Sequence, residues 1–72
     1  MPVLHAHVAG MDCADEAALI RRALEHPGVT ALAFDLVGRR VDITYDDTLI
    51  TPAAIAAALA RTGLAAHTHA RR

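Results

Sequence analysis

The sequence predicts an α+β domain in the order β-α-β-β-α-β, a four-stranded antiparallel sheet with both helices on one face. Three observations carry this expectation. Short runs alternate apolar and polar residues with period two, two stretches between them have helical spacing, and turn residues stand at the junctions. Seventy-two residues are enough for one domain, spanning 1–72, with 66–72 expected as a tail that frays.

Val3 to Val8 reads as a strand, with Leu4, Ala6 and Val8 on one face and His5 and His7 on the other. Gly10, Met11 and Asp12 form a turn. From Cys13 to about Glu25 the spacing of Ala17, Ile20 and Leu24 gives a helix with an apolar stripe, stopped at His26-Pro27-Gly28. Asp12 is the expected N-cap, with Asp15 three positions on. Val29 to Leu36 is a second strand with Leu32, Phe34 and Leu36 on one face. After a hairpin turn at Val37-Gly38-Arg39, the run from Arg40 to Tyr45 sets Val41, Ile43 and Tyr45 against Asp42 and Thr44. Thr51 followed by Pro52 is a strong helix start. Ile55 and Leu59 face inward, and Gly63 ends that helix. Leu64 to about His69 completes the sheet. This order is that of the ferredoxin-like fold.

Composition excludes several functions. The chain is 54% hydrophobic and 21% charged, the balance of a folded domain. Its core is light, because Phe34 and Tyr45 are the only aromatic residues. The net charge of −1 and the acids near each arginine pair argue against a nucleic-acid footprint. No apolar run approaches the roughly 18 residues that span a bilayer, so no direct membrane insertion is expected. One cysteine rules out an internal disulfide and fits a reducing compartment, with the thiol reactive or metal-binding. No P-loop or nucleophile elbow supports an enzyme reading for the domain itself.

The chemistry concentrates in one loop. Cys13 stands at a helix start, where orphan N–H groups and the helix dipole favour negative charge. Asp12, Asp15 and Glu16 crowd around it in sequence. A thiolate with carboxylate oxygens is a reasonable ligand set for Zn²⁺, leaving a place for water or a partner. Cu⁺ prefers two sulfur ligands. Met11 offers a second sulfur, but its expected role is to pack inward and anchor the loop. Each acid also has a purely structural role open to it as a cap or first-turn residue. His5 and His7 alternate on the first strand and His67 and His69 on the last. If those strands are neighbours, all four share the open sheet face and could form a second, surface zinc site. His26 reads as a dipole partner at a helix end.

Together the loop and the topology resemble the heavy-metal-associated domain, over Leu4 to His67. The resemblance rests on Gly10, Met11, Cys13, Pro27-Gly28-Val29, Asp35-Leu36 and Gly63. That family includes copper chaperones, mercury-binding proteins and N-terminal domains of heavy-metal P-type ATPases. Its signature carries a second cysteine where this chain has Glu16, and Asp12 precedes the first. An aspartate there resembles the zinc, cadmium and lead exporting ATPases, and a glutamate at the second position is similar to a variant of zinc-type transporters.

The resemblance therefore implies a domain that binds a divalent metal (Zn²⁺, Cd²⁺, Pb²⁺ or Co²⁺) through Cys13, Asp12 and Glu16, with Asp15 as a further candidate. It implies regulation or delivery at the N-terminus of a metal-exporting P-type ATPase, on the cytoplasmic side of the membrane, with the transmembrane or catalytic part of that transporter as partner. The alternatives are a free-standing metallochaperone and a degenerate domain that serves only protein interaction.

Overall fold

The computed structural model describes residues 1–11, 13–64 and 66–71. The elements in chain order are β1 (Val3–Val8), α1 (Ala14–Ala23), β2 (Val29–Asp35), β3 (Arg40–Tyr45), α2 (Pro52–Ala60) and β4 (Ala66–Arg71). The strands form one sheet in the order β2-β3-β1-β4, with every neighbouring pair antiparallel. This is the ferredoxin-like βαββαβ arrangement.

Period-two alternation decides which sheet face is covered. Leu4, Ala6 and Val8 of β1 are buried, as are Val41, Ile43 and Tyr45 of β3. The register sets Leu4 opposite Ile43 and Ala6 opposite Val41, so both strands present their apolar sets to the same side. Ile20 and Leu24 from the first helical segment and Ile55, Ala58 and Leu59 from α2 close over them in one cluster. Both helices therefore lie on one face, and the other face carries His5 and His7 of β1 and Asp42 and Thr44 of β3.

β2 joins this core through a bulge. Val29 pairs with Tyr45 and Ala31 with Thr44, which leaves Thr30 as the extra residue. Without the bulge Val29 would share a face with Ala31 and Ala33. With it, Val29 packs on the core together with Leu32 and Phe34. Thr30 Oγ1 donates to the Thr44 carbonyl at 3.2 Å across the irregularity. Arg21 of α1 lies over the Phe34 ring, 5.0 Å from its centroid, and so ties the helix to this edge strand. The strand ends at Asp35, one residue short of the expected Leu36, which enters the turn and is exposed rather than packing with Leu32 and Phe34.

α2 begins as the sequence predicts. Thr51 is the N-cap and its Oγ1 accepts from the Ala54 N–H at 3.1 Å, with Pro52 at the first helical position. Past its end Gly63 adopts φ 79°, a left-handed conformation that a residue with a Cβ adopts only under strain.

Candidate metal centre

The loop that leaves β1 is held from below and from the side. The Met11 N–H donates to the Val8 carbonyl at 3.0 Å and closes the turn. Met11 itself is fully buried, so its side chain anchors the loop in the core as expected. Arg39, in the β2–β3 turn, supports the other flank. Its carbonyl accepts from the Val8 N–H at 2.8 Å, and its Nη1 donates to the Ala9 carbonyl at 3.4 Å. Arg39 does this with φ 54°, in the left-handed region. Leu64 leans on the loop from the segment between α2 and β4: a Cβ at Gly10 would stand 2.9 Å from its Cδ2.

Helix α1 starts one residue later than the sequence suggests. Cys13, not Asp12, is the N-cap, with extended dihedrals of φ −151° and ψ 173°. Its carbonyl accepts from the Ala17 N–H at 3.3 Å. Asp12 lies outside the described residues, so its expected roles as cap and as ligand have no geometry here. The shifted start places Glu16, rather than Asp15, three positions after the cap, where a side chain reaches back over the first turn.

The contact that results is chemically specific. The Cys13 side chain makes no capping bond to the helix backbone. Its thiol Sγ instead lies 3.1 Å from Glu16 Oε1 and 3.2 Å from Oε2, donating to the carboxylate. Two ligand atoms on one tetrahedral zinc ion stand about 3.6 Å apart, given Zn–S near 2.3 Å and Zn–O near 2.1 Å. A few tenths of an ångström of opening would seat an ion in place of the shared proton. Cys13 is exposed and Glu16 half-buried, so the pair is open to solvent and to a partner's ligands. Asp15 is exposed in the same turn. With Asp15 and Glu16 in the first turn and Arg21 and Arg22 in the last, the charges of α1 complement its dipole.

Among the described residues no three of His, Cys, Asp and Glu converge to complete a metal site. The described part of the loop thus supplies a two-donor fragment. The four strand histidines fall in register, His7 opposite His67 and His5 opposite His69. His5 Nδ1 lies 2.7 Å from Asp42 Oδ1 on β3. His26 does not act on the end of α1 as expected: its Nδ1 accepts from the Gly28 N–H at 2.9 Å and shapes the turn into β2.

A groove lined by Leu24, His26, Leu49, Ile50, Ala54 and Ala58 lies at the far end of α1 from Cys13. No described helix is long and apolar enough to cross a membrane. Sequence reasoning did not single out Arg39 as a support of the loop. The signal available was weak, an arginine after the glycine of a hairpin turn.

Comparison with known proteins agrees with this fold. No curated protein matches the chain. Among solved structures, a copper-binding domain from HMA7, a P-type ATPase, is 24% identical with a TM-score of 0.85, covering 96% of this chain and 95% of that one. The N-terminal domain of PacS from Synechocystis PCC6803 is 24% identical with a TM-score of 0.74, covering 97% of each chain. The CopZ metallochaperone is 24% identical with a TM-score of 0.83, covering 90% of this chain and 98% of that one. At these identities the likeness is one of fold. Residues 6–64 match the sequence pattern of the heavy-metal-associated domain, and they include the second half of β1, the loop, both helices, β2 and β3. The chain belongs to the heavy-metal-associated domain family.

Proposed function

We propose that this domain binds a divalent heavy-metal ion of the Zn²⁺, Cd²⁺, Pb²⁺ or Co²⁺ class through Cys13, Glu16 and Asp12. The observation that carries the reading is the Cys13 thiol set against the Glu16 carboxylate at 3.1 and 3.2 Å. One thiolate with oxygen donors suits a borderline divalent ion, whereas Cu⁺ prefers two sulfurs. Met11 is fully buried under the loop and points its thioether into the core, which leaves Cys13 as the loop's sulfur donor. Several neighbours of the same fold carry copper in their names. Those names describe those proteins, and the donors of this chain differ from a two-sulfur set.

The domain's work in this reading is regulation or delivery for a heavy-metal-exporting P-type ATPase, with the whole chain acting as one unit on the cytoplasmic side of the membrane. An exposed, incomplete ligand set favours transfer. A partner's ligand can enter before the first two leave, so the ion moves without release into water. The test is zinc competition against a chromophoric chelator on the reduced chain, wild type beside Cys13→Ala. The tight equivalent should disappear in Cys13→Ala, and equal binding by the two proteins would overturn the assignment.

A further inference from the structure

Four of the chain's five histidines lie on two neighbouring strands. β1 and β4 pair so that His7 stands opposite His67, and His5 opposite His69, one rung further along. Leu4, Ala6 and Val8 are buried under the helices, so His5 and His7 project from the helix-free face. On β4, Ala66 and Thr68 line a cleft together with Ala56 and Ala60 of α2. His67, between them in sequence, therefore also stands on the helix-free face. His7 and His67 are both exposed.

We propose that the His7–His67 rung is a second metal site, for a divalent ion that favours imidazole, Zn²⁺ above all, and that it works independently of the Cys13 loop. Directly opposite residues on antiparallel strands hold their Cβ atoms about 4.5–5.5 Å apart. Two imidazoles at that spacing can converge on one ion at Zn–N distances of about 2.0–2.1 Å, with water in the remaining places.

The surrounding charges permit a cation. The residue opposite His7 on its other flank is Arg40. Its Nη2 donates to Asp35 Oδ2 at 3.0 Å, so that positive charge is turned to a carboxylate on the outer strand. On the adjacent rung Asp42 stands beside His5 at 2.7 Å and adds negative charge to the same face. The donors differ in kind from those of the loop. Each imidazole would bind through a neutral ring nitrogen, whereas the loop offers a thiol and a carboxylate.

The experiment uses the full chain carrying Cys13→Ser and Glu16→Gln, which removes the loop's thiol and its described carboxylate. This protein is titrated with Zn²⁺ by calorimetry at pH 7.5, and the histidine ring resonances are followed by NMR. One equivalent should bind and shift the rings of His7 and His67. Adding His67→Gln, an exposed strand position where the fold is checked by circular dichroism, should weaken binding by at least about tenfold, the scale on which metal sites respond to loss of even a supporting group. Absence of zinc uptake by the loop-deficient protein, or uptake that His67→Gln leaves unchanged, would overturn the proposal. Neither result bears on the loop assignment, which is read from Cys13→Ala alone.

Discussion

In the proposed site, Glu16 is the residue that would set which metal the loop prefers. Its carboxylate is brought onto Cys13 by the first turn of α1. Replacing it should therefore change the metal preferred rather than merely weaken binding. In Glu16→Cys, Cu⁺ affinity should rise by at least about tenfold, equivalent to 1.4 kcal/mol, measured against a Cu⁺-specific chelator under reducing conditions. An unchanged Cu⁺ affinity would remove Glu16 from the ligand set. The residues of this pair were legible in the sequence, because a cysteine at a helix start with acids in the next turn is a readable pattern. The frame was not. Asp12 is by composition the better N-cap, yet the backbone turns helical only after Cys13, and that one-residue shift is what selects Glu16 over Asp15.

At the scale of elements, each helix depends on its start differently. α1 has no side-chain cap and relies on its charge pattern, whereas α2 has no acid in its first turn and relies on Thr51. Thr51→Ala should cost about 1 kcal/mol. For a domain of this size that lowers the melting temperature by roughly 4–8 °C in a thermal scan, and Thr51→Ser should restore most of it. The strands, both helices and their order were legible because apolar period and turn chemistry agree along most of the chain. Two features were not. The bulge at Thr30 leaves no mark in an alternating pattern, since Val29 reads as an ordinary first residue of the strand. The left-handed turn residue is Arg39 rather than Gly38 beside it, a choice set by the bonds its carbonyl and guanidinium make to the end of β1.

For the whole molecule, acid should act through two surface carboxylates. Hydrogen bonds from the Gly38 backbone N–H and then from Arg40 hold the Asp35 carboxyl below the ordinary aspartate value of 3.8. The hydroxyl and N–H of Thr48 do the same to Asp46. A carboxyl whose folded value is depressed stabilises the protein above its unfolded value, and that contribution is lost as pH falls through the folded value. Urea unfolding midpoints should thus be steady near neutrality and decline below a pH of about 4. Asp35→Asn should lower the midpoint at pH 6, and the gap to wild type should close by about pH 2. A gap that persists there would mean that the side chain acts through shape rather than charge. The core gives little reserve against such losses, since a chain this short buries only about 60% of its unfolded surface.

The pairing of β1 with β4 sets Val3 opposite Arg71 at one end of the sheet and Val8 opposite Ala66 at the other. The first and last strands thus begin and finish side by side, while the Cys13 loop follows β1 at the other end of the pair. Any chain joined to either terminus is attached behind the loop. The domain can then swing on such a tether with that loop always leading. A tether of suitable length would raise the effective concentration of the loop at a docking partner without covering it. The same closeness of ends lets copies follow one another along a single polypeptide, each presenting its loop outward, so that carrying capacity could grow by repetition with no change in the unit.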